Sequence, residues 1–579
     1  MTFRHNKNNI GKYLPILNWL SNYKKQDFNS DVFAGFITAI LFIPQGMAYA
    51  MLAGLPIQVG LYASILPPII YAFLGSSTTL SVGPVSIAAI MIASALSAPE
   101  IQALGNPVEQ AIILAAEGGI ILLLMASLRM GGLVNFISHP VLAGFTSGAA
   151  ILIVLSQIPH LLGLPAQSCG LDLVCLSDQL QHANPYTTKL GIFSILVLIF
   201  MGPPLFWLLT RFKIHNHLKT AFTKSAPLLI IIITTVLVTY YQLSEHHNVN
   251  VVGHIISGLP SFSLAFITNS SSPWIALLPS AAFISLIAYV ESVAIAKVTA
   301  NLRGEKIAPN QELIALGTSN VASAVTGGMP VAGGFSRTMV NFSAGARTQL
   351  SMLIAVAFLG FAVVYFTDQF AAIPKAVLAA IILVAIAPLI KFREIISTWK
   401  YDVADGIAQF ITLVGVLVLG IEEGIALGVL FTIISFLRRT SRPHIAVIGR
   451  IKNTEQFRNV DRHQVETWDN LLLFRIDENI TFSNVDYIVD FIEDHAHNNA
   501  KLKHLVLVLS SVSYIDTTAI ELLTKTIKSY KNRDITLHLA EVKGPVMDKL
   551  EKTDFMNQLI SSGKIFFHTT EAVKELCQA

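Results

Sequence analysis

Two charged side chains lie where the surrounding sequence is otherwise apolar, and they are the residues best suited to do chemistry. Arg337 follows Gly333, Gly334, Phe335 and Ser336. Glu291 lies in the run 285–294, and the next charge, Lys297, is six residues on and off its helical face. A cation at the centre of a bilayer costs about 2.5–3.5 kcal/mol on insertion scales, so such a residue is a functional candidate by default. The plainer alternatives are an arginine snorkelling to headgroups, with Arg347 ten residues on, and a carboxylate bonded to neighbouring helices. Glu117, near the external half of its run with Glu109 close by, reads rather as structural or interfacial. Gln45 and Tyr49, one helical turn apart after Pro44, can present an amide and a ring to one cavity, or can simply pack.

The backbone near Arg337 is equally unusual. Gly327-Gly328-Met329-Pro330-Val331-Ala332-Gly333-Gly334 precedes one short helical stretch, and Ser81-Val82-Gly83-Pro84-Val85-Ser86 precedes another. Irregular backbone at membrane depth is tolerated only where protein buries it or where it lines a cavity. A matched pair of such Gly/Pro-interrupted segments points to a transporter's binding site; the alternative is glycine-rich helix packing. At each break a half-helix starts near the bilayer centre, with Pro84 expected in a first turn, where its missing donor costs nothing. Each N-terminus offers free N–H groups and about half a positive charge. Two facing ends plus Arg337 therefore supply about two positive charges. An ionised Glu291 cancels about one, and protonating it restores the match to a divalent anion. Burial disfavours the ionised carboxyl, so proton–anion symport is the expected chemistry, with no cofactor and no metal.

The elements that must position these residues follow from composition. The 579-residue chain is 53% hydrophobic and 13% charged, with mean hydropathy +0.61, whereas a soluble domain carries about 25% charged residues. Charges are sparse from Asp31 to about Phe436 and dense from Arg438. The expected parts are a cytosolic segment 1–30, a transmembrane domain 31–440 and a cytosolic domain 443–579. Fourteen apolar runs fill the membrane part, at 32–52, 58–74, 84–98, 110–128, 133–163, 189–210, 225–243, 275–299, 311–326, 335–345, 350–366, 374–390, 403–419 and 424–437. Several fall short of the roughly 20 residues of a full helical span. Basic residues recur at alternate connections (Arg129; Arg211 to Lys224; Lys297 to Lys306; Lys391 to Lys400; Arg438 to Arg442), while the intervening ones carry Glu100, Asp172, Glu245 or Glu422. The positive-inside rule puts both termini in the cytosol. The broken segments are the third and tenth runs, the same place in two halves of seven. An odd number of crossings per half inverts the second half relative to the first.

The first thirty residues lack a secretory signal pattern; Tyr13, Leu14, Ile16, Leu17 and Leu20 read as a short amphipathic surface helix. Cys169 and Cys175 share one polar loop, either as isolated thiols or as a small external disulfide, and no Cys/His spacing suggests zinc. Beyond Pro443 the pattern becomes α/β. Leu471–Ile476 and Leu505–Leu509 read as buried strands, Val485, Ile488, Val489 and Ile492 share a helical face, and Ile535–Val542 is a further strand. Asp516 is the expected N-cap of a helix opening at Thr517.

Phe42-Ile43-Pro44-Gln45-Gly46-Met47-Ala48-Tyr49-Ala50, Ser81–Pro84, Glu291-Ser292 and Gly334–Arg337 together resemble the sulfate permease (SulP) family over nearly the whole chain. That resemblance implies a polytopic α-helical domain of about fourteen spans, a seven-plus-seven inverted repeat with core and gate parts. It also implies elevator-like motion, a homodimer and a C-terminal α/β STAS domain. Substrate is then expected between the third and tenth helices, beside Gln45, Tyr49, Val85, Ser86, Phe335, Ser336 and Arg337. Sulfate, bicarbonate and dicarboxylates all occur as substrates in the family. Glu291 is similar to the acidic residue of its proton-coupled sulfate members, whereas sodium-coupled bicarbonate members carry an Asp-containing pattern there. In related anti-sigma antagonists the residue matching Thr517 is a phosphorylated serine, but Ala519 replaces the glycine of that motif. A nucleotide or partner protein at this helix end remains open.

A net charge of +3 gives no reason to expect nucleic acid. An enzyme is disfavoured: there is no G-x-x-x-x-G-K-S/T, no metal-ligand cluster and no nucleophile–base spacing. The rival classes are an anion channel or voltage-driven motor on the same scaffold, and a nucleobase permease, which Arg337 disfavours. A multi-pass protein of a cell inner membrane, in contact with lipid, is the expected setting.

Overall fold

A computed structural model describes residues 14–21, 23–135, 138–164, 180–212, 219, 222–223, 225–253, 258–264, 273–497 and 499–578. Cys169 and Cys175 lie outside the described residues. The chain forms two compact units, Met1–Leu430 and Phe431–Ala579.

In the first unit every apolar run carries a helix. The helices are α1 (Lys25–Leu52), α2 (Ile57–Tyr62), α3 (Leu66–Leu74), α4 (Ser86–Ser97), α5 (Pro107–Ser127), α6 (His139–Leu162), α7 (Pro185–Met201), α8 (Pro203–Arg211), α9 (Ala226–Tyr240), α10 (Trp274–Arg303), α11 (Pro309–Val325), α12 (Phe335–Ser343), α13 (Leu350–Tyr365), α14 (Lys375–Ile386), α15 (Phe392–Tyr401), α16 (Val403–Val418) and α17 (Ile421–Ser441). A short helix, Ile16–Ser21, precedes them. Among the described residues seven helical stretches are long and apolar enough to cross a membrane, and α7 with α8, bent by 40°, makes an eighth. The bend falls at Gly202-Pro203, where proline removes a helical hydrogen bond. With 12 and 9 residues, α4 and α12 reach only about half of a ~30 Å hydrocarbon layer at ~1.5 Å per residue.

Two groups of helices emerge from the packing. In one, α1, α3, α5, α10, α11, α12 and α13 lie against each other, with α4 between α1 and α10; in the other, α6, α7, α9, α14 and α16 do so. Helices α9 and α14 meet α1 across the divide. Glu117 is buried at the middle of α5 with its Oε2 unbonded among the described residues.

The second unit is an α/β domain. Its sheet has the order β4-β3-β5-β6-β7-β8, from β3 (Ile445–Arg450), β4 (Phe457–Asn459), β5 (Leu471–Ile476), β6 (His504–Val508), β7 (Thr536–Ala540) and β8 (Ile565–Phe566). The strands β5 to β8 run parallel, and β3 is antiparallel to both its neighbours. One face is covered by α18 (Val485–His497), α19 (Thr517–Lys531), α20 (Gly544–Leu550) and α21 (Asp554–Ser562), the other by α22 (Thr569–Gln578). Buried on both faces, β6 reads after His504 as the continuous apolar run Leu-Val-Leu-Val.

One polar pair interrupts that sheet. His538 on β7 is 3% exposed; its Nδ1 accepts from Lys564 N at 3.1 Å, and its Nε2 lies 3.2 Å from His504 Nδ1. Burial, with His504 beside it, pulls His538 down to about 4. The unfolded chain, near 6.5, therefore takes up the proton first. Stability of this unit is full above pH ~6.5 and falls as pH drops toward ~4. Urea unfolding reported by Trp468, the lone tryptophan of the unit, is expected to show that loss, and His538→Asn to flatten it.

Candidate functional site

The two breaks meet. β1 (Val82–Gly83) pairs antiparallel with β2 (Ala332–Gly333), Val82 opposite Gly333 and Gly83 opposite Ala332. This two-stranded ribbon sits where lipid would leave every N–H and C=O unsatisfied, at several kcal/mol each, and side chains supply the missing partners. Asn320 on α11 acts as a third strand for Val331, accepting from its N–H at 2.9 Å and donating to its C=O at 3.0 Å. Ser292 Oγ accepts from Gly333 N at 2.8 Å, and Thr338 Oγ1 accepts from Ser81 N at 3.0 Å. The Gln349 amide donates to Ser77 O at 2.8 Å and Leu80 O at 3.0 Å. Two buried carboxylates hold the connecting loops: Glu312 accepts from Ser76 N, Ser76 Oγ and Tyr71 OH, and Asp31 from Arg347 N, Thr348 N and Thr348 Oγ1.

From this frame α4 and α12 begin with their N-termini at the ribbon. Pro84 is not in a first turn: α4 starts at Ser86 with Val85 as N-cap, so the proline stays in extended backbone. Its carbonyl instead accepts from Arg337 Nη1 at 2.8 Å. Arg337, the third residue of α12, is 1% exposed, and its guanidinium lies 4.7 Å from the Phe42 ring centre. Its Nε and Nη2 have no partner among the described residues. Two glycines make room for it. A Cβ on Gly334 would come 2.9 Å from Nη2, and one on Gly83 3.2 Å.

A cavity of about 60 Å³ opens here, lined by Gln45, Tyr49, Val85, Ser86, Glu291, Gly334, Phe335, Ser336 and Arg337 from the first helix group, with Ala385 at the end of α14 and Leu389 in the turn that follows it. All seven residues expected around substrate, and Glu291, thus face one space at the divide between the helix groups. Among the described residues Glu291 Oε2 is buried without a partner, and no ion pair joins Glu291 to Arg337. Among the described residues three polar atoms of cavity-lining side chains are therefore unspent, two donors on one guanidinium edge and one carboxyl oxygen. The parallel Nε/Nη2 edge of an arginine matches two oxygens of one oxyanion. Ala385 and Leu389 give no sequence signal, being apolar in an apolar run. Asn320 does give one: an amide in a span must find partners, and Val331 lies eleven residues on, at the break.

Residues 28–412 match the Sulfate permease family and residues 462–575 the STAS domain. The chain belongs to the sulfate permease family. It is 31% identical to sulfate transporter 4.1, chloroplastic, of Arabidopsis thaliana, over 98% of this chain and 83% of that protein. Sulfate transporter 1.3 of the same plant is 32% identical, over 97% and 87%. In fold it is similar to the murine solute carrier 26 family member A9 anion transporter in the inward-facing state (TM-score 0.89, 20% identity, 100% and 97% of the chains). It is also similar to the transmembrane domain of a cyanobacterium bicarbonate transporter, BicA (TM-score 0.59, 20% identity, 71% and 98%). As in that family, the chain is a multi-pass membrane protein with a C-terminal STAS domain.

In the STAS domain Asp516 caps α19, accepting from Ala519 N at 2.8 Å, and its other oxygen accepts from Phe482 N at 2.7 Å. Both carboxylate oxygens are committed to local structure, and Thr517 stands exposed as the first residue of the helix.

The packing around Arg337 gives a graded prediction. Gly334→Ala is expected to displace the guanidinium and cut anion uptake at least ~10-fold at equal protein level, the scale of one lost charged hydrogen bond, with Gly83→Ala milder. Uptake into vesicles, normalised to folded protein by size-exclusion, measures both.

Proposed function

We propose that the chain is a secondary active transporter of a divalent oxyanion, sulfate first, driven by protons through Glu291. The supporting observation is the pair of unspent groups on one cavity. Arg337 lines the space beside the two half-helix N-termini with its Nε/Nη2 edge unbonded among the described residues, and Glu291 lines the same space without an ion pair to it there. An anion bound there meets Arg337, the α4 and α12 backbone ends, Ser86, Ser336, Gln45 and Tyr49, with Val85 and Phe335 as apolar walls. A protonated Glu291 leaves the positive charge uncancelled, so anion and proton bind together; once both leave, the ionised carboxyl offsets Arg337. The names of the relatives, sulfate transporters, support the choice of anion.

The cavity lies between two helix groups, and the group carrying the ribbon is cross-linked by Asp31, Glu312, Asn320 and Gln349. That rigidity favours movement of the group as one body past the other, an elevator-like exchange of access. The spacing of basic connections supports cytosolic termini in a cell inner membrane, and the family resemblance supports a homodimer. The exposed N-terminal end of α19 is offered to a cytosolic partner protein or nucleotide, with Thr517 as the modifiable residue.

Uptake of labelled sulfate, bicarbonate and a C4-dicarboxylate into proteoliposomes under imposed pH or sodium gradients tests this reading. Sulfate uptake accelerated by an inward proton gradient is expected. Glu291→Gln should abolish that acceleration, and Arg337→Gln should lower uptake at least ~10-fold. Sodium-driven bicarbonate uptake, or conductance indifferent to both gradients, would sink the proton scheme.

A further inference from the structure

Helix α15 is amphipathic and stands in sequence between two apolar helices, α14 and α16, and it packs on α6 and α16 of the second group. At about 100° per residue, Ile395, Ile396 and Trp399 fall on one side and Arg393 and Lys400 lie together along its edge. Ile396 is 58% and Trp399 43% exposed, and both cations are exposed. Trp399 also closes over Gly406 and meets the Phe410 ring edge-on at 6.5 Å, which fixes the orientation of the helix. The only carboxylate of α15, Glu394, is engaged elsewhere, by Lys391 at 3.0 Å and His139 at 3.5 Å. The exposed edge is thus apolar along one line and purely cationic along the next. The contact with His139, at the start of α6, puts α15 on the side of the Arg129 connection, where the basic residues gather.

We propose that α15 is a headgroup-binding anchor, which takes anionic phospholipid phosphates on Arg393 and Lys400 while Ile396 and Trp399 enter the acyl boundary. A helix tied at both ends to spans must lie at the membrane surface, and a cationic edge beside an apolar one is the pattern that binds anionic interfaces. Because the main packing of α15 among the described residues is on α6 and α16, the anchor holds the second group to the bilayer.

The test uses the full-length protein in phosphatidylcholine vesicles containing brominated phosphatidylglycerol or, at equal mole fraction, brominated phosphatidylcholine. The signal of Trp399 is the difference between wild type and Trp399→Phe. Quenching of Trp399 by the anionic lipid should exceed that by the neutral one, and should fall with salt. Each neutralisation, Arg393→Gln or Lys400→Gln, should weaken the preference about 5-fold. Equal quenching by both lipids would overturn the headgroup site. No quenching by either would mean that protein covers α15, the STAS domain or a second copy, and would overturn it too. The readout needs no transport, so its failure is separable from failure of the symport reading.

Discussion

Everything around the cavity depends on one constraint: backbone polar groups inside a membrane have no water to fall back on. Two helices that begin half-way across leave two stretches of open chain at that depth. Pairing β1 with β2 satisfies part of the deficit, but a ribbon of two residues per strand has outer edges. Ser292 bonds the ribbon at Gly333, and Asn320, Thr338 and Gln349 bond the open chain that flanks it at Val331, Ser81, Ser77 and Leu80. The polar side chains that look out of place in apolar runs are therefore required by the open chain.

The same break accounts for the charge. Arg337 is tolerable because Pro84, displaced from the helix it was expected to start, offers a carbonyl, because Phe42 offers a ring face, and because Gly83 and Gly334 offer no side chain. One donor of the guanidinium is spent on holding it in place. Its Nε and Nη2 stay unbonded among the described residues. Glu291 and Ser292, adjacent in sequence, differ in their bonding: Glu291 lines the cavity with Oε2 unbonded among the described residues, and Ser292 fastens the ribbon to α10.

The soluble unit obeys ordinary rules. Its central strands are apolar because helices cover both faces, and Asp516 caps α19 while bonding to a neighbouring loop. The His538–His504 pair is the exception, a buried polar contact whose neutral form the sheet requires.

Much of this was written in the chain. Apolar runs and scattered charge set the membrane domain, since hydropathy and span length act residue by residue. Strand-like runs and the Asp516 cap set the soluble domain for the same local reason. Gly/Pro breaks in matched places, with Arg337 and Glu291 near them, marked the site. What the sequence could not decide was long-range. Val82 meets Gly333 across some 250 residues, Asp31 meets Thr348 across more than 300, and Ala385 and Leu389 reach the cavity only because α14 packs against α1. Pro84 left its turn, because a helix boundary is set by which backbone groups find partners. That is a property of the packed structure, not of the local composition.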